Sequence, residues 1–246
     1  MFRVLKTFTI IGLAFLVCCS TTKSSTQTTT VPQTQSIRRG FDDCTILNDK
    51  YPCVVALHTI SSFVGSGVLI SPYYVLTAGH CIANGDITEV RLFNGKIHCV
   101  RELIKHPQYA IGPFVLNDIG IIALDEPILD VQTYPLCDDI MLMYKFQPLD
   151  LSGYGGAQKK QSQDDKFAFY GVLIHEFNYF KILPTQGSVW FGDSGGGVFA
   201  VITGKKCLIG IISSFSALHI DGKRVIVENT CVRVDSYLNW ILENTN

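Results

Sequence analysis

Residues 65–81 read GSGVLISPYYVLTAGHC: two short apolar runs separated by Ser71-Pro72, the second ending in a polar segment that contains a histidine. Comparable β-rich runs recur from Tyr51 onward, with Gly, Asn, Asp and Pro between them: CVVALHT, EVRLF, DIGIIAL, FAFYGVLI, CLIGIISSF and RVIVENTCVRV. Many short strands broken by turn residues, with little helical periodicity, predict an all-β sandwich or barrel.

The C-terminal segment departs from the strand pattern. Asp235 or Ser236 can cap a helix over residues 235–244. Its apolar stripe consists of Tyr237, Leu238, Trp240 and Ile241. We therefore expect one terminal helix docked on a β body.

Composition limits the class of protein. With 246 residues, 47% apolar and 17% charged, the chain is long enough for one sizeable core or two small ones. The 20 basic and 21 acidic residues give a formal net charge of −1, so nucleic acid is not an expected partner. Nine cysteines favour an oxidising compartment.

The N-terminus predicts a secreted protein. Arg3 and Lys6 precede the apolar run 8–19, so residues 1–20 are typical of a secretory signal. The run is too short to span a bilayer comfortably, since a spanning helix needs about 20 apolar residues. The segment before Cys19 also resembles a bacterial lipoprotein signal, and a lipid on Cys19 is the one membrane attachment we consider.

Residues 21–36 are almost wholly Ser, Thr and Gln, which predicts a linker or propeptide without a packed core. The folded domain is expected over residues 37–246. Seven cysteines remain there, an odd number that leaves at least one thiol without a partner in the chain.

Three short segments carry candidate chemistry. Gly192–Gly196 places a serine between glycines, which allow a sharp turn and a close approach to a substrate. Thr77–Cys81 places His80 at the end of an apolar strand, and Asn117–Leu124 places Asp118 at the start of another. Each segment alone is common in structural loops. Their occurrence together, in the order His, Asp, Ser, favours nucleophilic hydrolysis.

The segments TAGHC, NDIGIIAL and GDSGGG resemble TAAHC, NDIALL and GDSGGP of the chymotrypsin/trypsin-like serine proteases. The resemblance continues in LSGYG (151–155), in GIIS (210–213) and in VRVDSYLNWI at the C-terminus. It implies two six-stranded antiparallel β-barrels, about 50–137 and 138–234, followed by the C-terminal helix, with the active site between the barrels.

The same resemblance implies the site residues. Ser194 would be the nucleophile, His80 the base that takes its proton, and Asp118 the acid that orients the imidazole. The N–H groups of Gly192 and Ser194 would form an oxyanion hole. The expected protein is a secreted serine endopeptidase that forms an acyl-enzyme with protein or peptide substrates. Neither a cofactor nor a metal is expected.

The family's specificity pocket corresponds to Ser188, Ser213, Phe215 and Asn229. Ser188 stands at the floor, where an acid would favour Lys or Arg, and Phe215 and Asn229 stand where glycines usually leave the pocket open. We expect a narrowed, uncharged, partly polar pocket that takes small or medium uncharged P1 side chains and does not favour Lys or Arg.

Activation in this family frees an apolar N-terminus that pairs with the acid before the nucleophile, here Asp193. Arg38-Arg39 is typical of a processing site for a basic-specific protease. A new terminus at Ile37, one at Gly40 and an unprocessed start all stay open. An activating protease and protein inhibitors are the further partners that the resemblance implies.

The cysteine pattern departs from the family. The usual partner position of Cys81 is Gly65, and Trp190 replaces a cysteine near the pocket. Cys137 resembles a family cysteine that tethers the N-terminal region, with Cys44 or Cys53 as candidate partner. Cys207 and Cys231 lie on neighbouring predicted strands and are a candidate pair.

A second class of function is a non-catalytic protease homologue that acts as a binding or scaffold module. The altered pocket and the lack of an IVGG-like terminus favour it. The complete set of His80, Asp118 and Ser194 argues against it.

Overall fold

The computed structural model describes residues 51–112, 115–140, 149–155, 178–182 and 189–246. All of them belong to the compact unit Ser36–Asn246, one of two units in the chain. The predicted signal, linker and cleavage pair lie outside the described residues. In the part of the chain that is described, no helix has the length and apolar character needed to cross a bilayer.

The first half of the domain forms a closed barrel. The strands alternate in direction and follow one another around it in the order β1-β2-β3-β8-β5-β4, while β6 and β7 form a separate hairpin. The quoted stretch is the β2–β3 hairpin, in which Ser71 lies opposite Tyr74 across the turn. The first predicted barrel is thereby confirmed. The bounds are β1 (Val54–His58), β2 (Phe63–Ser71), β3 (Tyr74–Thr77), β4 (Glu89–Arg91), β5 (Ile97–Lys105), β6 (Ala110–Ile111), β7 (Val115–Leu116) and β8 (Gly120–Leu124).

The second half contains an antiparallel sheet whose described strands follow the order β10-β13-β12-β11-β9. Its apolar face packs into a second buried cluster that includes Phe180, Ile182 and Ile209. The predicted strand FAFYGVLI (167–174) lies outside the described residues, so a sixth strand here stays a prediction. The bounds are β9 (Asp150–Ser152), β10 (Tyr179–Ile182), β11 (Gly197–Ile202), β12 (Lys205–Ile220) and β13 (Lys223–Arg233).

The C-terminal helix is present, as a 3-10 turn over Asp235–Tyr237 followed by α1 (Leu238–Thr245). Tyr237 and Ile241 are buried in the apolar cluster of the first barrel. The expected capping was wrong, because neither N-cap position carries a side-chain hydrogen bond. The Asp235 carboxylate instead binds the Arg233 guanidinium at 2.6 Å and accepts the Ile140 N–H at 3.1 Å.

The candidate disulfide between Cys207 and Cys231 was wrong, since both side chains are free thiols. Cys231 lies opposite Ile212 of β12, whereas Cys207 stands five residues earlier on the same strand. Five strand residues span about 17 Å, far beyond the reach of a disulfide.

The pairing of Cys137 with Cys53 is not formed either. Cys137 is a free thiol in the second apolar cluster, whereas Cys53 is buried in the first. Cys44 lies outside the described residues. Among the described residues, therefore, apolar burial rather than a disulfide holds each half together.

Candidate active site

Two strand ends of the first barrel bring His80 and Asp118 together. β3 ends at Thr77, and the 3-10 turn Gly79–Cys81 follows it and carries His80. Thr77 lies opposite Gly120, the first residue of β8, so Asp118 sits just before the neighbouring strand at the same edge of the barrel. Because the sheet register fixes both strand ends, it also fixes the distance between the two side chains.

The carboxylate of Asp118 holds His80 at two points. Oδ2 accepts from the ring Nδ1 of His80 at 2.8 Å, and Oδ1 accepts from the His80 backbone N–H at 2.8 Å. Asp118 is 1% exposed, whereas the His80 side chain is 36% exposed. Burial thus fixes the acid, and one edge of the imidazole remains open toward a substrate.

Hydrogen bonding to Asp118 makes His80 a stronger base. Burial lowers the pKa of His80, but its side-chain hydrogen bonds with Asp118 and Cys81 and the nearby negative charge outweigh burial. The net shift is upward from 6.5, because the charged imidazolium is the form that these partners stabilise.

Residues that the sequence analysis did not single out hold the backbone around Asp118. Tyr179 on β10 accepts the Asp118 N–H through its hydroxyl at 3.0 Å, which links the first barrel to the second sheet. Asn117 adopts a φ of 50°, a left-handed conformation that asparagine tolerates better than most residues. Its Oδ1 accepts from the Tyr237 hydroxyl at 2.8 Å, and its Nδ2 donates to the Gln108 carbonyl at 2.9 Å.

Ser194 lies in a turn that only glycine permits. A Cβ on Gly195, whose φ is 85°, would lie 2.0 Å from the carbonyl oxygen of Ser66. A Cβ on Gly192, whose φ is 98°, would likewise clash with the ring of Phe63. The Ser194 carbonyl accepts the Ser66 N–H at 2.8 Å, so the turn is fastened to β2 of the first barrel.

Ser213 connects the serine to the acid. Its hydroxyl donates to Asp118 Oδ2 at 2.6 Å, and its carbonyl accepts from Ser194 Oγ at 3.3 Å. Ser213 is 4% exposed and its hydroxyl points to Asp118. Its place in the pocket wall stays a prediction. Ser213 thus bonds to both Ser194 and Asp118, and Asp118 in turn bonds to His80.

The backbone of the glycine turn leaves two donors available. The N–H groups of Asp193, Gly195 and Gly196 donate to main-chain carbonyls at 2.7–3.0 Å. Those of Gly192 and Ser194 have no acceptor among the described residues. Two unpaired N–H groups beside a serine hydroxyl are suited to a negatively charged oxygen.

Asp193 is buried behind the turn. Its Oδ1 accepts the Gly155 N–H at 2.6 Å and its Oδ2 accepts the Trp190 N–H at 2.7 Å. Burial raises the pKa of Asp193 to about 6, although the two backbone hydrogen bonds lower it. The termini expected to pair with it, at Ile37 or Gly40, lie outside the described residues.

Three aromatic rings, those of Trp190, Phe191 and Phe215, pack against one another. Trp190 and Phe215 stack with ring centroids 5.8 Å apart and planes within 8°, and Phe191 meets Phe215 edge-on at 5.4 Å. Phe215 lies opposite Asn229 in the β12–β13 ladder. Ser188, the expected pocket floor, lies outside the described residues.

Gly65 and Cys81 lie as far apart as two bridged cysteines, although the family disulfide at this position is missing. A Cβ built on Gly65 would lie 2.9 Å from Cys81 Sγ and 3.9 Å from Cys81 Cβ. These separations match those between bridged cysteines, whose Cβ atoms lie about 3.8 Å apart. Gly65 therefore occupies the place of the absent half-cystine.

Taken together, these contacts place a buried acid, an imidazole, a serine and two free N–H groups at the junction of the two sheets. The acid can orient and charge-stabilise the imidazole, the imidazole can take a proton from a nearby hydroxyl, and the N–H groups can bind an oxyanion. Acyl transfer is the reaction class that this set of groups serves.

Comparison with known proteins gives the same family. The family model described as Trypsin matches residues 40–241. Trypsin of Phaedon cochleariae is 32% identical over 139 residues, covering 52% of this chain and 49% of that protein. Human granzyme M is 31% identical over 97 residues, covering 36% of this chain and 37% of that protein.

Chymotrypsin-2 of Vespa crabro is 26% identical over 218 residues, covering 79% of this chain and 94% of that protein. The matches to trypsin and granzyme M thus span about half and about a third of those relatives. The family model, in contrast, spans most of the chain. The chain belongs to the trypsin family, the chymotrypsin/trypsin-like serine proteases.

Proposed function

We propose that this protein is a secreted serine endopeptidase in which Ser194, His80 and Asp118 form the catalytic triad. The observation that carries the proposal is the double hydrogen bond between His80 and a buried Asp118, each at 2.8 Å. A serine hydroxyl is a weak nucleophile unless a positioned base removes its proton during attack. Asp118 holds that base in place and stabilises its charged form, which raises the pKa of His80.

In the proposed mechanism Ser194 Oγ attacks the scissile carbonyl as His80 takes its proton. The N–H groups of Gly192 and Ser194 bind the resulting oxyanion, and His80 then protonates the leaving amine, which leaves an acyl-enzyme. Water, deprotonated by the same imidazole, hydrolyses the acyl-enzyme. Asp118 keeps the ring in one tautomer and stabilises its charged form.

We further propose that the P1 pocket takes small or medium uncharged side chains. Phe215 supports this, because its ring stacks on Trp190 at a position where the family usually has a glycine. Ser188 provides no negative charge for Lys or Arg.

N-terminal processing completes the proposal: cleavage after Arg39 would free Gly40, and cleavage after Ser36 would free Ile37. A new ammonium at Ile37 or Gly40 would pair with Asp193, whose pKa is raised by burial. Such a pair would lower that pKa again, because it stabilises the carboxylate. The expected partners are protein substrates, an activating protease and protein inhibitors. The predicted signal directs the chain out of the cell. In the alternative, a lipid on Cys19 attaches the protein to a membrane.

Hydrolysis of a mixed peptide library by the secreted protein, before and after treatment with a basic-specific protease, tests the proposal. We expect cleavage by the processed protein and none by Ser194→Ala. Ser236→Ala, which removes an exposed hydroxyl, is the matched control and retains cleavage.

The altered pocket favours one other function, that of a binding module. That function would show as intact protein that hydrolyses no peptide, together with a Ser194→Ala variant that still performs the biological role.

A further inference from the structure

A buried carboxamide on β13 has no internal partner. Asn229 is 0% exposed, and both its Oδ1 and its Nδ2 lack a hydrogen-bond partner among the described residues. Buried amides in folded proteins are nearly always hydrogen-bonded, because an unmet donor or acceptor costs folding free energy. The Asn229 amide is therefore available to hydrogen-bond a polar group that enters this region.

The amide points into an apolar region of the second sheet. Asn229 lies opposite Phe215 on one side and opposite Ile182 on the other, so the three side chains share one face of the sheet. Cys231, two residues further, shares this face and is 0% exposed. Such surroundings strengthen any hydrogen bond that a bound group makes to the amide.

The amide is also within reach of the serine. Ser213, whose carbonyl is 3.3 Å from Ser194 Oγ, stands two residues before Phe215 on β12. Two strand residues span roughly 7 Å, and opposite residues lie roughly 5 Å apart. The Asn229 backbone thus lies within about 10 Å of Ser213, a gap that its own side chain and a medium-length substrate side chain can bridge.

We propose that the Asn229 carboxamide is the specificity-determining group for P1 and that it selects a neutral carboxamide side chain, glutamine above all. This inference rests on the proposed protease function and names its substrate class. A carboxamide offers an acceptor oxygen and two N–H donors, so it can hydrogen-bond both Oδ1 and Nδ2 of Asn229 at once.

Other P1 side chains leave at least one polar atom of the Asn229 carboxamide without a hydrogen-bond partner. A carboxylate offers only acceptors and would bring an unpaired charge into the apolar region. A lysine offers only donors, an aliphatic side chain offers neither donor nor acceptor, and methionine offers only a weak sulfur acceptor. Sites that hydrogen-bond a substrate group discriminate strongly against analogues lacking it, because the site's own polar atoms are then left unpaired.

The test uses matched peptides with Gln, Met or Glu at P1, three side chains of similar length. Rates are divided by the concentration of active sites titrated with a fluorophosphonate. We expect kcat/KM for Gln to exceed that for Met and for Glu by about tenfold or more. In Asn229→Leu the Gln:Met ratio should invert, whereas Asn239→Leu, on the exposed face of α1, should keep it.

Asn229→Leu also gives a readout without substrate. Since the variant removes an unsatisfied buried amide, its thermal midpoint should not fall below that of the native protein. A faster rate with Met or Glu than with Gln, or an unchanged ratio in Asn229→Leu, would overturn the inference while the protease function stands. Failure of Ser194 to react with the fluorophosphonate would overturn the protease function and the inference with it.

Discussion

The two sides of the active site are held by different forces. On the side of the first barrel, the Asp118 carboxylate accepts hydrogen bonds from the ring and the backbone of His80 and from Ser213. The backbone N–H of Asp118 donates to the Tyr179 hydroxyl. On the side of the second sheet, Phe215 is held by stacking on Trp190, and the Asn229 side chain has no hydrogen bond among the described residues.

This difference between polar contacts and apolar packing corresponds to two tasks, proton transfer and recognition of the substrate side chain. Proton transfer tolerates little displacement, so the acid and the base are fixed by several short polar contacts. Recognition of a side chain requires polar atoms that are free in the unbound protein. The side fixed by hydrogen bonds thus carries the proposed chemistry, and the side held by apolar packing carries the proposed choice of substrate.

Removing the charge of Asp118 should have the largest effect. In Asp118→Asn we expect kcat to fall by about 10⁴-fold, because the imidazole loses its orientation and its stabilised charge. Asp125→Asn, at an exposed position just after β8, should leave kcat unchanged. A loss of less than about tenfold would contradict the role given to Asp118.

The pH profile of the same variant gives an independent readout. His80 accepts a proton only when neutral, so kcat/KM of the native protein falls as pH drops below its raised pKa. Without the carboxylate this pKa decreases, so the acid limb of the profile should move to lower pH in Asp118→Asn. An acid limb that stays in place would show that another group controls it.

A restored disulfide should stabilise the first side of the site. Gly65→Cys places a second thiol at the distance that a bridge to Cys81 requires. Closing this loop should raise the free energy of unfolding by about 3 kcal/mol under oxidising conditions, and reductant should remove the gain. Urea unfolding measures the effect, with Gly65→Cys in a Cys81→Ala background as the control. Free thiols at both position 65 and Cys81 in the peptide mass map of oxidised Gly65→Cys would contradict the expectation.

Tyr179 tests the link between the two sides. Tyr179→Phe removes the acceptor of the buried Asp118 N–H and should lower the free energy of unfolding by about 2 kcal/mol. Tyr73→Phe, at a half-exposed position between β2 and β3, should change it little. Equal effects of the two variants would mean that the hydrogen bond to Asp118 contributes nothing measurable.

The aromatic stack should give the smallest effect. In a double-mutant cycle, Trp190→Leu and Phe215→Leu should couple by about 1 kcal/mol, the size expected for an aromatic pair. Trp240→Leu, which packs against the other apolar cluster, should be additive with Phe215→Leu. Additivity in both cycles would show that the Trp190–Phe215 stack does not stabilise the protein.

How much the sequence predicts depends on how local the contact is. His80 and Asp118 were predicted from short segments with a recognisable context, and the structure places them 2.8 Å apart. The contacts of Asp118 with Tyr179 and Ser213 join residues 61 and 95 positions apart, and no local pattern announces them. Only the left-handed Asn117 next to Asp118 could have indicated a special backbone there.

Strand register explains the remaining errors. Neighbouring strands made Cys207 and Cys231 a candidate pair, but the register places Cys231 opposite Ile212 instead. The same register turns the Ser213 hydroxyl toward Asp118, a contact that the sequence did not predict. Runs of apolar residues identify strands, whereas the register between strands decides which residues lie opposite one another.

Reaction of Ser194 with a fluorophosphonate is the most direct test of the central claim. In the processed native protein we expect a single adduct that peptide mass mapping places on Ser194. In His80→Ala the labelling rate should fall by about 10³-fold or more, because the hydroxyl loses its base. No adduct, or labelling at equal rates in both proteins, would contradict the claim that His80 activates Ser194.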